Sequence, residues 1–283
     1  MTTREKYDRL KEKLRELTRT DACLAFSGGV DSALLLTAAS RAAKENGTQL
    51  WAVTFDTELH PRADVRLAQK LAAEAGVHHE ILRVRELENT EICSNPPERC
   101  YLCKRYLFGK LRAFAEEKGI TSLMEGTNAD DLGQYRPGLR AVRELGIRSP
   151  LADCGITKAE VRSLSAMLGI SVAERPSTPC MATRLPYGAQ ITAEILERIE
   201  KGEEIIKSLG YRNVRLRVHG DLARIEVDRE DIPRAASQAQ KLSEAVRALG
   251  FDYVTLDLSG FRSGSMDERL LARRAGGVEK KAE

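Results

Sequence analysis

The sequence predicts an α/β protein: a parallel sheet with helices on both faces, followed by a smaller α+β domain. Two observations carry this expectation. Over roughly the first 170 residues, short apolar runs alternate with helical stretches, the pattern of parallel strands joined by crossover helices. Beyond residue 190 the order becomes helix, strand, strand, helix, strand, which fits a separate sheet.

Residues 4–17 place Tyr7, Leu10, Leu14 and Leu17 at helical spacing. "ACLAFSGGVDSALLLTAAS" then reads as strand, glycine turn and helix, the apolar run being Ala22–Phe26. "QLWAVTF" (49–55) is a second buried strand, followed by a helix over 61–75 and a strand near 80–84. A helix over about 101–118 carries the Cys100–Cys103 pair at its start, and "SLMEG" (122–126) is the next strand. "ITKAEVRSLSAMLG" is helical. The loop "ERPSTPCMATRLPYGAQ" (174–190) resembles a linker, yet it holds Cys180, so a functional loop on a rigid scaffold is the better reading. A helix over 192–209, strands in "NVRLRVHG" and "LARIEVD", a helix over 231–249 and a strand in "YVTLDL" follow. The expected boundaries are 1–187, 188–268, and a frayed tail over 269–283.

The 283 residues suffice for roughly two domains. A hydrophobic share of 42% and a charged share of 31% fit a globular chain with an ample core. The 45 basic and 42 acidic residues leave a net charge of +3, short of the basic excess of a dedicated nucleic-acid binder. No stretch approaches the roughly 20 apolar residues of a membrane span. The N-terminal segment lacks an apolar signal region, so a cytoplasmic location is expected. In that compartment cysteines serve more often as ligands or catalysts than in structural disulfides.

The most informative motif is "SGGVDS", residues Ser27, Gly28, Gly29, Val30, Asp31 and Ser32, set between a strand and a helix. The glycines permit a tight turn and close backbone approach. The helix start offers free N–H groups and a positive dipole end to an anion, and the serine hydroxyls add donors. The lysine of the GxxxxGK[ST] phosphate loop is absent. The pattern resembles the PP-loop of ATP pyrophosphatases, which implies ATP cleavage between the α and β phosphates. A glycine turn capping an ordinary helix is the plain alternative. Ligands of open α/β sheets lie at the carboxyl ends of strands. Thr54, Phe55 and Asp56, with Gly126, Thr127 and Asn128, are therefore further candidates for ATP contacts, and Asp130 and Asp131 for Mg²⁺. Ordinary turn chemistry also favours Gly, Asn and Asp there.

The six cysteines are Cys23, Cys93, Cys100, Cys103, Cys154 and Cys180. Cys23 reads as a small buried residue, and Cys93 and Cys154 have no motif around them. A CxxC pair admits a zinc site, a redox disulfide, iron–sulfur ligation or plain packing. Zinc needs four ligands, and although a fourth could come from His78 or His79, neither sits at recognisable zinc spacing. The thioredoxin context of a redox pair is missing.

The segments "SGGVDS", "NPPERCYLCKRYLF", "RPGLRAVRELGIRSPL", "PSTPCMATRLPYGAQIT", "VRLRVHGDLARIEV" and "VTLDLSGFRSGSM" together resemble the LarE family, over residues 27–266. The resemblance implies a PP-loop ATP pyrophosphatase fold and an ATP-dependent sulfur transferase of nickel-pincer nucleotide biosynthesis, the cofactor of lactate racemase. Its substrate would be pyridinium-3,5-biscarboxylic acid mononucleotide, whose carboxylates are adenylated and then converted to thiocarboxylates. It implies one of two sulfur sources: Cys180 itself, spent to dehydroalanine, or a [4Fe-4S] cluster on Cys100, Cys103 and Cys180 that carries sulfide. The three-cysteine pattern favours the cluster, soft thiolates being its usual ligands. It also implies homo-oligomers, and leaves the sulfide donor unnamed.

In "NVRLRVHG", alternation puts Val214, Leu216 and Val218 on one face and Arg215, Arg217 and His219 on the other. The polar face is either a solvated, salt-bridged surface or a phosphate clamp. The family resemblance favours the clamp, with Arg184, Arg215, Arg217 and Arg262 on the substrate phosphate and carboxylates, and Glu203, Glu204 and Glu226 near the site. Rival readings are a tRNA-thiolating PP-loop enzyme, which the balanced charge disfavours, an amide-forming synthetase, which has no use for the cysteine trio, and a non-catalytic sensor.

Overall fold

The computed structural model describes residues 1–176, 178–262 and 264–265. The expected tail over 269–283 lies outside the described residues. The chain forms two compact units, one of residues 1–92 and 96–179, the other of residues 93–95 and the chain from Cys180 onward.

In the first unit, α1 (Thr3–Leu17) begins at a capping box between Thr2 and Glu5 and buries Tyr7, Leu10 and Leu14, as its spacing requires. β1 (Ala22–Ala25) turns at Gly28 and Gly29 into α2 (Val30–Asn46). β2 (Leu50–Asp56), α3 (Arg62–Ala75) and β3 (His78–Arg83) follow. Glycines in the left-handed conformation, Gly47 and Gly76, stop α2 and α3. Then come α4 (Thr90–Cys93), α5 (Arg99–Glu117), β4 (Ser122–Met124), α6 (Ala129–Leu132), α7 (Gly138–Glu144), α8 (Pro150–Asp153) and α9 (Lys158–Met167). The four short helices among these carry too few residues to show a helical period, and the sequence pattern missed them.

The sheet order is β3-β2-β1-β4, every pairing parallel. Arg148 extends it by one bridge to Met124. Alternation along β1 explains why both faces are covered. Ala22 and Leu24 enter a core with Leu34, Leu35 and Leu151, while Cys23 enters another with Leu107, Phe108 and Leu111. The strand order reverses at β1, which pairs with β2 on one side and β4 on the other, the switch point at whose carboxyl ends open α/β sheets bind ligands.

In the second unit, α10 (Ala193–Ser208) precedes a hairpin of β5 (Val214–His219) and β6 (Leu222–Val227). Next are α11 (Ile232–Ser237), α12 (Ala239–Arg247) and β7 (Tyr253–Leu256), which pairs parallel with β6. The expected single helix over 231–249 is thus two. Gln238 leaves the helical region at φ −102° and ψ 19°, and its side chain accepts a hydrogen bond from the Tyr211 hydroxyl at 3.1 Å. Gly202 lets α10 lie directly on Leu216 of β5. Among the described residues, no helix is long and apolar enough to cross a membrane.

Candidate functional site

The carboxyl edge of the first unit assembles the loop from the sequence motif. Gly28 has φ +71°, and a Cβ there would stand 3.3 Å from the Ala68 backbone nitrogen, so the turn needs glycine twice over. Ser27 Oγ lies 3.2 Å from Ser32 Oγ, and Ser32 Oγ donates to the Gly29 carbonyl at 3.0 Å. Gly29 caps α2 and contributes no side chain to its first turn. The start of a 17-residue helix is thereby left open to an anion.

The turn after β4 backs this loop. A Cβ on Gly126 would sit 3.0 Å from the Ser32 nitrogen, so only glycine allows the approach. Asn128 caps α6 and donates from Nδ2 to Asp31 Oδ1 at 3.1 Å. Asp31 Oδ2 is ion-paired with Lys158 Nζ, and the Lys158 N–H donates to Asp130 Oδ2 at 2.8 Å. Asp131 meets Arg136 at 2.8 Å and accepts from the Asn128 N–H. Lys158 thus brings to the loop the cation that the motif lacks. Sequence reasoning missed it because it lies 127 residues from Asp31.

Glu125 was also missed. It is 5% exposed. It accepts from Ser149 Oγ at 2.6 Å, Thr127 Oγ1 at 2.9 Å, Thr127 N–H at 3.0 Å and Lys104 Nζ at 3.0 Å. Burial works against its charge, but Lys104 and the hydroxyl donors outweigh it and hold the carboxyl below its ordinary range.

The β2 end is more mixed. Thr54 is buried and its hydroxyl donates to the Phe26 carbonyl at 2.7 Å, while His79 Nε2 stands 2.9 Å away. This arrangement braces the start of the loop. Burial pushes the His79 imidazole down, toward its neutral form. Phe55 packs near Phe108, and Asp56 lies 3.7 Å from Arg83.

Cys100 and Cys103 occupy the first turns of α5, three residues apart and so on one face, with Cys100 exposed and Cys103 half-buried. Arg99 Nη2 lies 3.6 Å from Cys100 Sγ, and Cys103 Sγ donates to Glu86 Oε1 at 2.7 Å. His78 stacks on Trp51 and His79 is bonded to Thr54, so both imidazoles are engaged within the sheet. Among the described residues, no group of three or more His, Cys, Asp or Glu side chains is gathered to hold a metal ion. Cys100 and Cys103 in the first unit and Cys180 in the second are each exposed or half-buried thiols, the soft donor type that iron–sulfur ligation uses. Cys23 is sealed in the core, where burial pushes its thiol up to about 12.

In the second unit Cys180 caps a short 3₁₀ turn, Met181–Arg184. Arg184 is 1% exposed and bonds Glu203 through Nε at 2.8 Å and Nη2 at 2.9 Å, while Nη1 donates to the Cys180 carbonyl at 3.1 Å. Glu203 also accepts from the Leu216 N–H at 3.1 Å. Arg217 makes the same two-pronged contact with Glu226, and Arg224 joins that carboxylate at 3.1 Å. Arg215 lies over the Phe261 ring, and burial together with the Arg184 charge pushes it down to about 10. Over Arg215 and Arg217 the polar face of β5 is therefore not solvated, since both are buried and held in a charge network, whereas His219 at its end is exposed. Arg262 is exposed. Asn95 is another residue the sequence did not flag. It is buried at φ +50°, donates to the Pro186 carbonyl at 2.8 Å, and accepts from the Gly188 N–H at 2.8 Å. Asn tolerates that backbone conformation better than most residues, which is the only local signal it offered.

A family described as a PP-loop domain matches residues 2–140. An uncharacterized protein of Synechocystis is 39% identical over 267 residues, 94% of this chain and 98% of its own length. The pyridinium-3,5-bisthiocarboxylic acid mononucleotide synthase of Lactiplantibacillus plantarum is 34% identical over 258 residues, 91% of this chain and 92% of its own. A glutamine-hydrolyzing GMP synthase chain of Thermoplasma acidophilum is 27% identical over 223 residues, 73% of this chain and 70% of its own. An open loop at the switch point of the sheet, an accessible CxxC helix start and full-length similarity to a synthase of thiocarboxylates agree, and the chain belongs to the LarE family of ATP-dependent, adenylating sulfur transferases.

Proposed function

We propose that this protein converts the carboxylates of pyridinium-3,5-biscarboxylic acid mononucleotide to thiocarboxylates. The observation that carries the reading is similarity over nine-tenths of both chains to the Lactiplantibacillus synthase. In the first step, a substrate carboxylate oxygen attacks the α phosphorus of ATP and the bond to the bridging oxygen of the β phosphate breaks. Pyrophosphate departs toward Ser27, Gly28, Gly29 and Ser32, where the start of α2 and the Lys158 ammonium oppose its charge. Asp31 offers hard carboxylate oxygens that would hold Mg²⁺ against the phosphates. Phe55, Asp56, Gly126, Thr127 and Asn128 line the nucleotide edge. In the second step a sulfur nucleophile attacks the acyl carbon, the carbon–oxygen bond to the adenylate breaks, and AMP leaves with that electron pair.

A [4Fe-4S] cluster held by Cys100, Cys103 and Cys180 would supply sulfide repeatedly. Arg184 holds the backbone at Cys180, and Arg215, Arg217 and Arg262 are the candidates for the substrate phosphate and carboxylates. The test is anaerobic incubation with ATP, the pyridinium substrate and sulfide, following pyrophosphate, AMP and the product mass. Pyrophosphate release that requires this substrate, with exchange of oxygen for sulfur, is the expected result. Release that requires tRNA or ammonia instead would overturn it. About four irons per chain, lost in Cys100→Ala, support the cluster. A single turnover in iron-free protein, with loss of H₂S from Cys180, replaces it with sacrificial transfer.

A further inference from the structure

One ion pair in the first unit joins the two chemistries the protein must coordinate. Lys104 follows Cys103 directly and lies one helical turn after Cys100, on the same face of α5. Its ammonium reaches Glu125, which stands immediately after β4. Glu125 in turn binds the N–H and hydroxyl of Thr127. The same turn touches the phosphate loop twice, through Gly126 against Ser32 and Asn128 against Asp31. Gly138, at the start of α7, is held close to Lys104. A Cβ there would lie 3.1 Å from Lys104 Cδ and 3.3 Å from the Cys100 carbonyl oxygen, so the lysine stem is confined as well as its charge.

We infer that Lys104 is a positioning residue for sulfur transfer. Through Glu125 it sets the first turns of α5, and with them Cys100 and Cys103, against the turn that holds the nucleotide. This rests on the sulfur-transfer reading above. An ordinary brace would affect adenylation and sulfur transfer alike. A positioning residue affects the second step more, because sulfur delivery depends on where the helix start lies, and misplacement by about 1 Å can cost orders of magnitude.

The experiment compares wild type, Lys104→Met, Lys104→Arg and the double variant Lys104→Met with Glu125→Gln. The double variant removes the pair without leaving a bare buried carboxylate, so it keeps the question open to test if Lys104→Met does not fold. Two readouts are taken on each protein: the ratio of thiocarboxylate formed to pyrophosphate released, and the rate of Cys103 alkylation without substrate. The ratio is expected to fall about tenfold in the uncharged variants and to recover in Lys104→Arg, with Cys103 alkylation several-fold faster once the helix start is loosened. A ratio unchanged from wild type, or unchanged alkylation in the folded double variant, overturns the inference. If wild type itself makes no thiocarboxylate, the functional reading fails, and the alkylation arm still decides whether Lys104 sets the helix start.

Discussion

The nucleotide edge of the first unit and the arginine network of the second both depend on ion pairs, but they use them in opposite ways. The Asp31 and Lys158 side chains are 20% and 30% exposed. Arg184 and Glu203 are 1% and 5% exposed and joined by two bonds. A partly solvated pair can exchange its partner for an incoming phosphate or Mg²⁺ at modest cost, since its net worth is under about 1 kcal/mol. A buried, two-pronged pair cannot release one member without leaving a bare charge in a low dielectric. The first arrangement is suited to binding and release, the second to holding the backbone at Cys180 and the edge of β5 in place.

The contrast is broken most severely by Glu203→Ala. It strands Arg184 and unpairs the Leu216 N–H, and should destabilise the protein by about 3–5 kcal/mol in urea titration. A loss below about 1 kcal/mol would place this pair in the same class as the exposed one. Lys158→Ala should reverse the pattern, with little change in urea midpoint and a loss of about 2 kcal/mol in ATP affinity or pyrophosphate release. Equal effects on stability and ATP binding would make Lys158 a brace.

The smallest effect is expected in acid. Glu160 caps α9 through Thr157 and pairs with Lys6 of α1 at 2.8 Å. Burial opposes its charge, but the bonds from Lys6 and Thr157 hold its carboxyl down at about 2. Its folded-state value lies below its unfolded one, so its contribution is complete above about pH 4.5 and fades as the pH falls toward 2. Glu160→Gln should flatten that part of the stability profile. An identical acid limb in the variant would assign the loss to other carboxylates.

Much of the scaffold was legible because its signals are local. Alternating apolar runs marked β1, β2 and β4, the glycine turn marked the phosphate loop, and Cys100 and Cys103 sit at the helix start where the pattern put them. The arginine face of β5 shows the limit. Period-two alternation identified which residues share that face, and it also fits a face covered by charge rather than by water. Thr54 shows a second limit. A hydroxyl near a strand end looks available to a ligand, yet here it donates to the Phe26 carbonyl just past β1.

By itself, then, the sequence determined the layered α/β unit, the position of the glycine turn and the place of the CxxC pair at a helix start. These follow from residue type and short-range period, which each segment carries alone. Only the tertiary structure decided that Lys158 pairs with Asp31 of the loop, that Glu125 ties Lys104 to the turn after β4, and that Arg184 and Arg217 are paired with Glu203 and Glu226. The reason is physical. The strength of a charge pair depends on separation and burial, and neither exists until distant segments have packed.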